Sequence, residues 1–219
     1  MHASKISSTA AASGRPDLPD DVRAELVDGL YAPLGSLVIG AVAGIFVGIV
    51  VSLRTGDPWL AAATLALALV AAGRAALALA YRRRSGGAAR GAAALRDWER
   101  RYAVGAWSYA ACLGGLCFNG FWTSDDAATH LIVAAITTGY AAGVTARNAG
   151  LPRIAIGQLV LTIVPLALGA ALRAEPVYLA LALITVLYLF ATVEIALFLA
   201  RNHLRLLLTT REKLSLIHI

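Results

Sequence analysis

Residues 34–53 read LGSLVIGAVAGIFVGIVVSL, twenty residues without a charge. A hydrocarbon core about 30 Å thick calls for about 20 apolar residues of helix, so this stretch is long enough to cross a bilayer once. Five more apolar blocks follow at 59–81, 102–122, 129–146, 154–172 and 177–200, separated by short breaks that carry the charges. Over the 219 residues, apolar types make up 59% and charged types 15%, and mean hydropathy is +0.72. That leaves too little polar surface to cover a soluble core of this size. The ten-residue alternation of a membrane barrel is absent. In lipid every backbone group must be bonded within its own segment, so the blocks predict helices. The predicted fold is all-α: a polytopic membrane protein built as a six-transmembrane-helix bundle.

Basic loops stay on the cytoplasmic side. Sixteen of the 19 Lys and Arg fall on the side that holds both termini, 82–101 and 147–153, whereas the opposite side has only Arg54 and Arg173. Both termini are therefore predicted to be cytoplasmic. The net charge of +6 reads as topology and contact with anionic lipid rather than a nucleic-acid surface, so the predicted partner is the bilayer and not a nucleic acid. Trp59 and Trp122 are placed at the outer boundary, and Tyr81 and Tyr102 at the inner one, as aromatic belts.

Composition divides the chain further. Residues 1–19 are small and polar, lack the apolar core of a secretory signal, and predict a disordered cytoplasmic tail. In 20–32, Val22, Leu26 and Leu30 recur every four residues opposite Arg23 and Asp28, which predicts an amphipathic interfacial helix leading into Pro33. The six-helix membrane domain takes 33–200, and 201–213 starts a charged linker helix.

The catalytic signatures G-x-S-x-G, H-E-x-x-H and G-x-G-x-x-G and the phosphate loop are all missing, so no catalytic residue, cofactor or metal ligand is predicted. The histidines are His2, His130, His203 and His218. Asp125, Asp126 and His130 cluster at the predicted outer mouth, where they could hold a metal or respond to pH. The reading preferred here is that the two acids mark a short loop and cap the next helix. Cys112 and Cys117, five residues apart on one helix, point roughly 140° away from each other and imply no pair.

Three intramembrane features remain. Ser36, Gly40, Gly44, Gly48 and Ser52 form a stripe of small residues at four-residue spacing, which admits a neighbouring backbone either within the bundle or across a dimer. Arg74 and Glu194 lie at matching depth, each about two turns from the cytoplasmic end of its helix, and are expected to form an intramembrane ion pair. The third is TTGYAAGVTARNAGLPRIAIGQLVL, residues 137–161. Here a tight cytoplasmic turn is built on Arg147, Asn148, Gly150, Pro152 and Arg153, with its arginines at the headgroups and Gln158 inside the following helix.

That string resembles the multi-helix membrane region found in front of GGDEF-type diguanylate cyclases of alphaproteobacteria. The similarity extends to RAELVDGLY at 23–31, WERRY at 98–102 and the R-x-x-L-R-x-L-L-x-x-R-E-x-L pattern at 201–214, and covers about 22–213. The resemblance implies a sensor or anchor in a bacterial inner membrane. Its last helix would continue into a linker and a cytoplasmic domain that condenses two GTP molecules into cyclic di-GMP. Two such domains must meet, so a homodimer is also implied. No glycine-glycine-acid-acid-aromatic signature occurs in the chain. Residues 214–219, LSLIHI, match the translation of a transposase sequencing adapter, which predicts that the natural sequence breaks off near Lys213. A small transporter or channel, with inverted halves and interrupted helices, is the alternative, as is a membrane region serving another output such as a histidine kinase. The ligand is unknown.

Overall fold

The computed structural model of the chain describes residues 20–32, 34–84 and 91–217; the predicted tail at 1–19 lies outside them, as does Pro33. The described chain is all helix: α1 (Asp20–Tyr31), α2 (Leu34–Thr55), α3 (Pro58–Arg84), α4 (Ala92–Thr123), α5 (Ala127–Arg147), α6 (Pro152–Leu172) and α7 (Pro176–Ile217). Five of these, α2, α3, α5, α6 and α7, are long and apolar enough to cross a membrane, as expected of a multi-pass membrane protein. Their outward faces bear exposed Leu53, Leu131, Leu183 and Phe190, which water would not tolerate in such number.

The sequence predicted six such spans, and α4 is the one that falls short in apolarity. It is long enough, at 32 residues, but carries Trp, Tyr, Ser and Asn within its apolar stretch. Its position accounts for the difference. α4 packs against α6, α3 and α5, and its buried residues run from Leu95 to Phe121, so protein rather than solvent or lipid meets much of its surface. It also begins ten residues before the predicted block, because Leu95 and Trp98 pack beneath α1.

α1 does more than lie along a surface. Its predicted apolar stripe, Val22, Leu26 and Leu30, is buried together with Val27 and Tyr31. The Tyr31 ring stacks on Tyr81 at 3.9 Å and meets the edge of Trp98, while its hydroxyl donates to the Trp98 carbonyl at 2.9 Å. Tyr102 joins the same aromatic cluster. Tyr81 and Tyr102 are thus buried under α1 rather than facing headgroups as a belt, whereas Trp59 and Trp122 are exposed.

The second half of the α2 small-residue stripe, Gly44, Gly48 and Ser52, packs within the bundle and receives side chains, not a second backbone. A Cβ on Gly44 would stand 2.5 Å from the Tyr109 hydroxyl oxygen, and one on Gly48 the same distance from Thr64 Oγ1. Gly40 contributes its carbonyl, which accepts from the Tyr109 hydroxyl at 2.9 Å. The Ser52 hydroxyl donates to the Gly48 carbonyl and lies 3.2 Å from that of Thr64. Ser36, at the start of the stripe, is exposed.

The closest backbone approach is elsewhere, between Gly114 of α4 and Leu161 of α6. A Cβ on Gly114 would overlap the Leu161 carbonyl oxygen. Pro165 has no N–H, so the carbonyl four residues before it, that of Leu161, loses its helical donor. α6 nevertheless runs unbroken from Pro152 to Leu172. The Gly114 backbone covers that carbonyl, in the manner of the weak Cα–H···O contacts that recur where helices cross closely.

Candidate functional site

Hairpins and turns sort to two ends of the bundle. One end gathers α1, the turn between α5 and α6, and the stretch of α7 near His203. A Cβ on Gly150 in that turn would lie 3.0 Å from Leu26 of α1 and 3.6 Å from His203 of α7. The turn itself forms as its residues dictate. Asn148 ends α5, its N–H donating to the Val144 carbonyl, and Leu151 N–H closes onto the Asn148 carbonyl at 3.0 Å. Pro152 then opens α6 with its φ preset and no N–H to satisfy.

Beneath the turn lies a polar network. Asn148 and Gln158 are both fully buried. The Tyr102 hydroxyl donates to Asn148 Oδ1 at 3.0 Å, Asn148 Nδ2 donates to Gln158 Oε1, and Gln158 Nε2 donates to the Tyr140 hydroxyl at 2.6 Å and toward the Ala106 carbonyl at 3.4 Å. Gln158 therefore links α4, α5 and α6 through one side chain. Amides left unpaired at this depth would cost on the order of 1–3 kcal/mol each, and the tyrosines meet that need.

Two guanidinium groups border the network. Arg74 is 7% exposed; its stem passes Gly105, and its Cζ sits 5.1 Å from the Tyr109 ring centre, a cation–π contact. Tyr109 packs in turn on Tyr140, ring centres 5.3 Å apart. Both the Arg74 and Arg147 charges lie within electrostatic reach of the Tyr109 and Tyr140 phenols. Arg74 Nη2 and Arg147 Nε are buried and have no hydrogen-bond acceptor. With the amides and phenols bonded to one another, these two guanidinium donors are where the buried polar cluster is left unsatisfied. Among the described residues no group of three or more His, Cys, Asp or Glu side chains comes together.

The predicted Arg74–Glu194 ion pair does not form. Arg74 points inward against α4, while Glu194 is exposed on α7. Counting residues placed the two at one height, but α3 packs on α2 and α4, and α7 on α6 and α5, so the helices that would have to meet share no extensive packing. The two arginines of the turn also divide: Arg153 is exposed, whereas Arg147 is drawn inward with its Nε buried.

At the opposite end, three short connections are fastened together. Arg54 bonds Asp126 at 2.6 Å, and Arg173 bonds Asp125 at 2.5 Å. Asp126 also caps α5, accepting from the N–H groups of Ala128 and Thr129, as the sequence suggested. Arg173 beside Asp125 holds that carboxyl below the usual range, and Arg54 with Thr129 does the same for Asp126. His130 is buried and stacked on Phe121 at 4.6 Å. Its Nε2 lies 2.8 Å from the Ser124 carbonyl, which can only accept, so that nitrogen carries a proton, and Nδ1 pairs with the Tyr178 hydroxyl at 2.6 Å. Both ring nitrogens are thus taken by protein groups, and Cys112 and Cys117 are free thiols.

The part played by the network's two tyrosines, Tyr102 and Tyr140, went unread in the sequence, which placed Tyr102 in an aromatic belt. The available signal was that two buried amides need partners at their own level, and Tyr102, Ala106 and Tyr109 share a face of α4 at spacings of four and three. Compared with known proteins, the chain matches no family model, no curated protein and no solved structure.

Proposed function

We propose that this chain is the membrane-embedded input or anchor region of a signalling protein, with α4 as a sixth crossing and both termini on the cytoplasmic side of a bacterial inner membrane. The observation that carries the reading is α7. It is one helix, Pro176–Ile217, of which 38 residues precede the adapter-like end at Leu214. At about 1.5 Å per residue those measure about 57 Å, nearly twice a hydrocarbon core. A helix that both crosses and continues transmits any shift or rotation within the bundle to whatever is attached to it. The α5–α6 turn supports this role, since Gly150 touches α7 at His203 on one side and α1 on the other. The unbroken course of α6 through Pro165 weighs against a transporter built on interrupted helices.

On the resemblance of its turn and flanking motifs, the output is a diguanylate cyclase, paired through dimerisation of the membrane region. The deciding experiment reads the genomic sequence in frame beyond codon 213, expresses the complete gene and measures cyclic di-GMP in the cells. A cyclase domain and a raised nucleotide level are expected. A frame that closes without a catalytic domain would sink the proposal, and vesicle uptake assays would then take its place.

A further inference from the structure

Beside the turn, on the outer surface of the bundle, α1, α4 and the first residues of α6 enclose a groove of about 500 Å³. Its charge is one-sided. Arg23, Arg96, Arg100 and Arg153 line it with a single acid, Glu99, which sits 3.8 Å from Arg23. Arg96, Arg100 and Arg153 are exposed and have no ion-pair partner among the described residues, whereas the neighbouring Arg101 is taken by Asp97 at 2.7 Å. The start of α6 adds to the positive field, because its N-cap, Leu151, supplies no side-chain acceptor.

The groove is polar at one end and apolar at the other. Arg96, Arg100, Ala103, Val104 and Trp107 follow one another on a single face of α4, a descent of about 16 Å from the first to the last. Val104 and Trp107 are open to the surroundings. The Trp107 ring is held as a fixed wall: its indole N–H donates to the Ile154 carbonyl at 3.2 Å, and the ring lies over Gly157, where a Cβ would overlap it. Surplus guanidinium charge above an apolar channel matches an amphiphile with an anionic head. A soluble phosphate would use only the upper half.

We propose that this groove binds one anionic phospholipid, its phosphate on Arg96, Arg100 and Arg153 and an acyl chain along Val104 and Trp107. The stretch that bounds the groove, Leu151 and the first residues of α6 to Ile154, follows directly on the turn touched by α7, so an occupied groove stiffens the turn from outside. The lipid site stands whether or not a cyclase follows the chain.

The test is native mass spectrometry of the full chain in mild detergent, supplied with equal phosphatidylglycerol and phosphatidylcholine. Retention of one phosphatidylglycerol, preferred by about fivefold or more, is expected. The triple variant Arg96→Gln, Arg100→Gln, Arg153→Gln should fall to near parity, and the equally discharged Arg82→Gln, Arg83→Gln, Arg84→Gln should keep the preference. No preference in the unmodified chain, or equal loss in both triple variants, overturns the proposal. So does displacement of the lipid by inorganic phosphate, which would assign the site to a soluble anion. A second readout needs no arginine variant: phosphatidylglycerol with brominated acyl chains should quench tryptophan fluorescence more than brominated phosphatidylcholine, and Trp107→Phe should remove the excess. Equal quenching by the two lipids counts against the site.

Discussion

The two ends of this bundle treat charge in opposite ways. At one, Arg54 and Arg173 are each matched to one of two adjacent acids, and His130 has both nitrogens bonded. At the other, Arg74 and Arg147 keep buried donors without acceptors, and Arg96, Arg100 and Arg153 outnumber the acid near them. A charge with a fixed partner sets geometry, since moving it leaves a bare ion behind. A charge without one holds interaction energy in reserve for something that arrives. The first end is therefore built as a fastening and the second as a receiver, and the second is the end where α7 leaves the bundle.

The comparison breaks most completely at the part both ends share. Gly114→Val should cost about 3 kcal/mol or more and abolish a monodisperse folded species in size-exclusion chromatography, because the new side chain lands on the Leu161 backbone. Gly143→Val, on a glycine with nothing within 4 Å of its would-be Cβ, should behave as the parent does. Next comes Gln158→Leu, which strips partners from Asn148 and Tyr140 together. A loss of about 2–4 kcal/mol is expected in unfolding titrations in micelles. At the fastened end, His130→Phe preserves the stack on Phe121 but removes the bonds to the Ser124 carbonyl and the Tyr178 hydroxyl, for about 1–2 kcal/mol. If His130→Phe proves costlier than Gln158→Leu, the network beneath the turn is not the main polar tie.

Acid sharpens the contrast further. Asp125 and Asp126 have folded values depressed below the ordinary 3.8 by Arg173 and Arg54 respectively. A depressed carboxylate stabilises the fold fully above its unfolded value, and the contribution is lost as pH falls through the folded one. The fastened end should therefore weaken only below about pH 4, and Asp126→Asn should shrink that acid-dependent loss in pH-resolved thermal melts. The smallest effect belongs to Glu194→Gln, which should leave the yield of folded protein unchanged. Combining Arg74→Glu with Glu194→Arg should rescue nothing relative to Arg74→Glu alone; a rescue would put the ion pair back.

How far the sequence could be read depended on whether the determining contacts were local. The apolar block at 34–53 became Leu34–Thr55, and the block at 154–172 became Pro152–Leu172, because bilayer length and Pro or Gly signals act within a few residues. The turn at Asn148, Gly150 and Pro152 was legible for the same reason. Depth along a helix can also be counted, which put Arg74 and Glu194 level. Direction around the helix could not be inferred, since α3 is apolar on nearly every side and offers no stripe to orient it. The network was hidden more deeply: Asn148 and Gln158 announced a need for partners, but only the assembled bundle brings Tyr102 and Tyr140 to them. The extra ten residues of α4 were missed because their burial comes from α1, as in the Tyr31–Trp98 bond between residues 67 apart in the chain.

The contact between Gly114 and the Leu161 carbonyl has a mechanical meaning. Sliding α4 along α6 would uncover a carbonyl that Pro165 has already deprived of its helical donor, and apolar surroundings penalise that by several kcal/mol. The crossing thus fixes α4 against α6 in the axial direction, between the end fastened by Arg54, Arg173 and His130 and the end tied through Gln158, and α7 continues beyond the second of them.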